Sequence, residues 1–303
     1  MALPFDIFQQ SLISGRKTNQ DRVGYAYAND AVLMVVADGM GGHLNGEIAA
    51  EIAVRVLIER FNREARLGLS NPSQFLRTAL EAGHEAIGSY TSKNKLVEFP
   101  RTTCVACIVK NNIAYWCHAG DSRLYLIRNG RVYKRTRDHS RVQRMIDAGL
   151  ITEHQALTHP ERNKIYSCLG GDQLPTVSTS EGTQLNPLDI LLLCSDGFWG
   201  ALTSAEIETG VTEDPFDVAL PKLIQKSLDM AGAHGDNLSV VGLQWPGAAE
   251  KLEYIDSAVT MPADFLTQPV ARSDRGAKVD DMSDAEIERA IAEIQVAIQK
   301  FTK

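Results

Sequence analysis

Apolar positions are dense from about Leu12 to Trp245 and thin out beyond. The first segments alternate as strands do, Val23–Tyr27 and then Ala31–Ala37, with Asn29-Asp30 as the turn between them. A helix is expected next, because Ile48, Ile52 and Val56 recur every four residues beside Ala49, Ala53 and Leu57. Asn71-Pro72, a cap residue followed by proline at the first helical position, opens a second helix carrying Phe75, Leu76, Ala79 and Leu80. Three strands follow at Thr103–Val109, Ile113–Ala119 and Ser122–Ile127, and Asn129-Gly130 turns the last of them onto Val132–Lys134. Arg141–Ala148 fits a short helix stopped by Gly149, and Thr152–Gln155 forms a capping box for another. Ile190–Cys194 and Leu238–Leu243 are the last core strands, with a helical stretch around Leu220–Met230 between them. Neighbouring strands are joined by tight turns rather than by helices. The expected class is therefore α+β, with antiparallel sheets and packed helices.

Past Trp245-Pro246 the pattern changes. Residues 1–246 form the expected folded domain, and 247–282 read as a linker with scattered charge, Pro262, Pro269 and Gly276. Within 283–303, Ser283 and Glu286 make a capping box, and Ile287, Ile291, Ile294, Ile298 and Phe301 fall at heptad-like spacing. Such a C-terminal amphipathic helix either packs back on the domain, binds another chain or a second copy, or stays solvated.

Composition narrows the function classes. With 44 % hydrophobic and 23 % charged residues the chain is of ordinary globular type, and 31 Lys plus Arg against 38 Asp plus Glu give a net charge of −7. That acidic balance argues against nucleic acid or an anionic lipid surface as the main partner. No apolar run approaches the ~18 residues of a membrane helix, and Met1–Gln10 lacks the pattern of a secretory signal. Five cysteines do not suggest a disulfide framework. A cytoplasmic enzyme is the expectation.

Five aspartates recur at strand ends beside or near glycine. Asp38 and Asp196 close apolar runs and precede Gly39 and Gly197. Asp121 follows Gly120, Asp236 follows Gly235 and leads into Leu238–Leu243, and Asp21 leads into Val23–Tyr27. One such residue is ordinarily a turn former; five suggest a rigid sheet presenting ligands at its rim. If they converge, their repulsion raises the carboxylate pKa values unless cations neutralise them. An all-oxygen set suits Mg2+ or Mn2+ better than zinc.

The strings around these acids are Arg16-Lys17-Thr18-Asn19-Gln20-Asp21, Val36-Ala37-Asp38-Gly39-Met40-Gly41-Gly42-His43, Gly120-Asp121-Ser122-Arg123, Asp138-His139-Ser140, Ser195-Asp196-Gly197 and Gly235-Asp236-Asn237. In this order they resemble the motif series of the metal-dependent Ser/Thr protein phosphatases of type 2C, in their bacterial form. The likeness spans roughly Ser11–Leu243, about three quarters of the chain. It implies two antiparallel sheets packed as a sandwich between helices, in α-β-β-α layers. It also implies two bridged Mn2+ or Mg2+ ions plus a third, looser one. Asp38 would bridge, the Gly39 carbonyl would serve one ion, and Asp196 and Asp236 the other. Asp21 would hold metal-bound water, Asp121 with Asp196 would form the third site, and Arg16 would grip the substrate phosphate. The implied reaction is hydrolysis of phosphoserine and phosphothreonine by direct attack of a metal-bridging hydroxide, on phosphorylated proteins and in opposition to a Ser/Thr kinase. Eukaryotic relatives carry a histidine, proposed as general acid, where this chain has Met40, so leaving-group protonation must come from elsewhere. Two alternatives stay open: a catalytically inactive phosphatase-like binding module, and hydrolysis of small phosphorylated metabolites.

Other residues invite chemistry with less support. Cys117 and Arg123 fit the Cys-x5-Arg spacing of cysteine-dependent phosphatases, but a strand rather than a helix follows them. Cys104 and Cys107 have no second Cys pair and belong on opposite strand faces. Cys168 and Cys194 fit small core residues. His43, His118, His139, His159 and His234 read as framework, with His139 orienting a loop, and Glu47 as a surface or capping residue. Asn237 is placed to steady Asp236. The polar insertion Arg141–Cys168 corresponds, in the resemblance, to a flap beside the active site that contributes to substrate choice; otherwise it is an inert surface excursion.

Overall fold

A computed structural model describes residues 5–28, 30–40, 45–246 and the strand Ser257–Val259. These residues belong to one compact unit, Leu3–Ala271. In chain order it runs β1 (Asp6–Leu12), β2 (Asp21–Ala28), β3 (Ala31–Met40), α1 (Gly46–Ala65), α2 (Pro72–Lys93), β4 (Arg101–Thr102) and β5 (Cys104–Lys110). Then come β6 (Ile113–Ala119), β7 (Arg123–Arg128), β8 (Arg131–Arg135), α3 (Arg141–Asp147), α4 (Glu153–Leu157), β9 (Leu169–Gly170), β10 (Ser178–Thr179) and β11 (Thr183–Gln184). The last are β12 (Ile190–Cys194), α5 (Asp196–Trp199), α6 (Ser204–Gly210), α7 (Phe216–Ala231), β13 (Leu238–Gln244) and β14 (Ser257–Val259). One sheet has the order β1-β13-β12-β7-β8; the other is built on β10-β6-β5-β3-β2-β14, and all the pairings are antiparallel.

The apolar runs lack strict alternation because both faces of their strands are covered. In β3, Val32, Met34 and Val36 pack into the layer between the sheets, where Leu124, Leu191, Leu193 and Val241 meet them from the other side. Leu33, Val35 and Ala37 face the opposite way, onto Ala49, Ala53 and Leu57 of α1 and Leu76 and Leu80 of α2. In β12, Leu191 and Leu193 point inward while Ile190, Leu192 and Cys194 pack against Ile207 of α6 and Phe216, Leu220 and Leu223 of α7. The result is the expected helix–sheet–sheet–helix layering, with three apolar layers. Truncating a fully buried leucine here to alanine is expected to cost about 2–5 kcal/mol.

Local signals set the element ends. Asn71 caps α2 by accepting from Gln74 N at 3.0 Å, and Thr152 and Gln155 close the expected capping box of α4. Besides the short β4, β9, β10, β11 and α5, three elements lie outside the sequence expectation. β1 carries polar Gln9, Gln10 and Ser11 and lies before the dense apolar pattern, yet pairs along its whole length with β13. α6 begins with a second capping box, Thr203 with Glu206. Inside the stretch expected as a linker, Ser257–Val259 pair with Tyr25–Tyr27 of β2. The expected C-terminal helix and the rest of that linker lie outside the described residues, as do Gly41, Gly42 and His43.

Candidate active site

The antiparallel pairing brings one end of the sandwich together. Asp21 opens β2 directly opposite Asp38 near the end of β3. Asp121 follows β6, Asp196 follows β12, and Asp236 precedes β13, all at that same end. Asp121 is held there by a turn that needs glycine: Gly120 has φ of +110°, and a Cβ on it would press into Thr103. Gly39 is equally constrained, because a Cβ there would run into the backbone of Gly46 and the Gln20 carbonyl. Its N–H donates to Gln20 O at 3.2 Å, which binds β3 to the loop before β2.

Burial and crowding perturb Asp21, Asp38, Asp121 and Asp196 strongly. Asp21 is 1 % exposed and burial pushes its pKa up to about 7, with Asp196 and Asp236 adding repulsion. Asp38 rises well above the carboxylate range through burial and then the charges of Asp21, Asp196, Asp121 and Asp236. Asp121 rises well above it through burial, Asp196 and Asp138. Asp196 rises to about 6 through burial and Asp236, and lies within hydrogen-bonding reach of Asp38. Two buried oxygens, Asp21 Oδ1 and Asp196 Oδ1, have no hydrogen-bond partner among the described residues. Uncompensated buried carboxylate oxygens are costly, and divalent cations are the chemistry that would compensate them. The donors are all oxygen and suit hard ions. Among the described residues no three His, Cys, Asp or Glu side chains already close on a single point as a metal cage.

A framework of neutral groups holds them. Ser195 Oγ donates to Asp21 Oδ2 at 2.7 Å and accepts from Ser239 N at 2.9 Å, while Ser239 Oγ donates to Ser11 Oγ. Asn237, 4 % exposed, uses its whole side chain: Nδ2 donates to the carbonyls of Ile13 and Thr18, and Oδ1 accepts from Gln20 N. It thereby fixes the β1–β2 loop that carries Arg16. Arg16, exposed at the rim, pairs with Asp236 at 2.5 Å. Glu47 accepts from Gln20 Nε2 at 3.1 Å at the start of α1. His139 binds the Gly120–Asp121 turn twice, its N–H donating to Gly120 O and its Nδ1 accepting from Gly120 N.

Sequence reasoning missed Trp199 and the Ser195–Ser239 pair. Trp199 Nε1 donates to Asp121 O at 3.0 Å, and its ring lies 3.4 Å from the Arg123 guanidinium, which grips Asp138 with two bonds of 2.9 and 2.7 Å. The available signal was a hydroxyl at position 239 in an otherwise apolar strand, and an arginine opening another. The cysteine alternative has no support in the geometry. Cys117 is buried on β6, burial raises its thiol well above the usual range, and Arg123 is committed to Asp138. Cys104 and Cys107 face different apolar layers.

A cleft of about 520 Å³ opens beside the acids, bounded by Asp121, Asp196, Asp236 and Arg16 on one side and by Val142, Ile146 and other residues of the insertion on the other. The insertion expected as a flap is thus one wall of the cleft.

Known proteins agree with this architecture. A family model described as Protein phosphatase 2C matches residues 9–231. The serine/threonine protein phosphatase PstP of Mycobacterium tuberculosis is 31 % identical over 273 residues, 87 % of this chain but 50 % of that protein; the chain spans about half the length of this curated relative. The crystal structure of Stp1, a serine/threonine phosphatase of Staphylococcus aureus, superposes with a TM-score of 0.71 at 31 % identity, over 80 % of this chain and 95 % of that one. The catalytic domain of PstP in complex with two manganese ions superposes with a TM-score of 0.65 at 28 % identity, covering 79 % of this chain and 97 % of that one. Since the model match takes in well over half of the sequence, including Arg16 and every strand-end aspartate except Asp236, the chain belongs to the protein phosphatase 2C family.

Proposed function

We propose that this chain is a metal-dependent phosphatase that hydrolyses phosphoserine and phosphothreonine in proteins, acting inside the cell against a Ser/Thr kinase. The observation that carries the proposal is the set of crowded carboxylates at one end of the sandwich, with raised pKa values and two unpartnered buried oxygens. Asp38, Asp196, Asp236 and the Gly39 carbonyl would hold two Mn2+ or Mg2+ ions, with Asp21 behind them and Asp121 with Asp196 at a third. A solved relative bound to two manganese ions supports metal dependence. Such ions, when bound, make water a nucleophile near neutral pH and screen the dianionic phosphate.

The chain's own groups do the rest. Arg16 is exposed at the rim, where its planar guanidinium can leave Asp236 and take two oxygens of a phosphate. Asn237 keeps that arginine's loop in place. Trp199 and His139 hold the Asp121 turn, so the acids keep their positions while substrate enters the cleft. The five free cysteines are compatible with a reducing compartment, and no helix among the described residues is long and apolar enough to cross a membrane.

The test is turnover of a phosphothreonine peptide by the purified chain with saturating Mn2+, with EDTA, and with Asp38→Asn. Release of phosphate that EDTA and the substitution both abolish is expected. Undiminished activity in either case would overturn the metal assignment, and no turnover under any condition would favour the inactive binding module.

A further inference from the structure

The insertion that walls the cleft also has an outer face, and its chemistry is different. Within the insertion, Arg141–Cys168, the chain carries four Lys or Arg against three Asp or Glu, in a protein of net charge −7. Three of these cations, Arg141, Arg144 and Lys164, line a second, open pocket of about 490 Å³ together with Met145, Leu150 and Tyr166. One carboxylate serves two of them: Glu161 binds Arg141 Nε and Lys164 Nζ, each at 2.9 Å. Arg144 makes no ion pair among the described residues. Its guanidinium lies 3.6 Å from the centre of the Tyr166 ring, and Tyr166 N donates to His139 O at 2.8 Å. An arginine stacked on an anchored ring keeps its donors directed outward at little cost in side-chain freedom. The pocket therefore presents a surplus of two positive charges over an apolar floor.

Its position relates it to the cleft, because α3 lines both. Val142, Gln143 and Ile146 face the cleft, whereas Arg141, Arg144 and Met145 face the basic pocket. At 100° per residue these two sets are centred roughly 150° apart, on opposite sides of one helix about 10 Å across. An extended chain advances about 3.3 Å per residue, so a peptide lying over α3 from the cleft reaches the pocket after about four to six residues.

We propose that the outer face of α3 is an anion subsite that takes a second phosphorylated or acidic side chain of the phosphoprotein substrate, about four to six residues from the phosphate being hydrolysed. This rests on the function proposed above for the cleft. The subsite selects multiply phosphorylated or acid-flanked segments, with Arg144 as its fork and Lys164 as its point charge.

The test uses the full chain with Mn2+ and a set of phosphothreonine peptides. Five residues away, each carries a hydrolysis-resistant phosphonate, a glutamate or a glutamine. The expected result is a KM about fivefold lower for the phosphonate than for the glutamine peptide, with glutamate between them and kcat little changed. In Arg144→Met, which keeps the stem over Tyr166, and in the Arg144→Met, Lys164→Met pair, the KM ratio of the peptides collapses toward one. Equal KM values for the three peptides in the wild-type chain, or a preference that survives the double substitution, would overturn the proposal. If no peptide is hydrolysed, the cleft reading fails; fluorescence anisotropy of the labelled phosphonate peptide then tests the subsite alone. Its binding weakens in the double variant if the subsite exists, and equal binding by both proteins overturns it.

Discussion

The substitution Asp21→Asn separates the stability of this domain from its proposed activity. In the folded chain burial moves the Asp21 carboxyl from 3.8 to about 7. At about 1.36 kcal/mol per pH unit, ionising it inside the fold costs ~4 kcal/mol relative to the unfolded chain. The sign follows from the direction of the shift. Below about pH 4 both states are protonated and nothing is lost; between about 4 and 7 the folded state binds the extra proton, so stability falls as pH rises; above 7 the whole penalty is present. The amide side chain of the variant carries no charge and its carbonyl can still accept from Ser195 Oγ, but its NH2 group faces the place where Asp21 Oδ1 has no partner. An unpaired buried donor costs about 1–2 kcal/mol, which leaves a net gain of about 2 kcal/mol at pH 8. In a domain of this size that is a rise of ~4–8 °C in Tm. Differential scanning fluorimetry in EDTA at pH 4.5 and pH 8 measures it directly. The variant should be the more stable protein at pH 8 and no better at pH 4.5, and saturating Mn2+ should reverse the order by stabilising the wild type more. A metal-free variant that melts below the wild type at pH 8, or a gain equal at both pH values, would refute this account of the buried charge.

Two further expectations follow from the same geometry. Asn237→Ala strands the Gln20 N–H and the carbonyls of Ile13 and Thr18, so a loss of about 2–3 kcal/mol is expected in urea unfolding, together with a KM for a phosphothreonine peptide raised about tenfold because Arg16 loses its loop. Cys117→Ser should leave kcat/KM for that peptide within about twofold, since the thiol is buried away from the cleft; steady-state kinetics on the folded variant checks it, and a loss of several orders of magnitude would revive the cysteine chemistry.

Much of the layered fold was legible because its strongest signals are local. Asn71-Pro72, the Thr152 capping box and the Asn129-Gly130 turn each solve a backbone problem within four residues, and the runs at Ala31–Ala37 and Ile190–Cys194 mark strands covered on both faces. β1 was hidden because its pairing with β13 reaches across more than two hundred residues, and polar Gln9 and Ser11 are buried at that seam. The candidate acids were legible as a repeated strand-end pattern. The groups that hold them were not, since Ser195 to Asp21, Trp199 to Asp121 and Asn237 to the β1–β2 loop are contacts between residues remote in the chain. α6 was overlooked despite a capping box of the same kind as the one recognised at Thr152.

The direct pairing of Asp21 with Asp38 ties chemistry to strand register. Because side chains alternate between faces, sliding β2 past β3 by a single position would turn one of the two acids toward the other side of the sheet. The hairpin formed by these strands is therefore intolerant of single-residue insertions that its length alone would permit. β7 and β8, by contrast, already absorb an irregularity at Leu126 and Ile127. Changes in chain length are expected to accumulate at that outer edge of the small sheet and to be purged from the β2–β3 ladder.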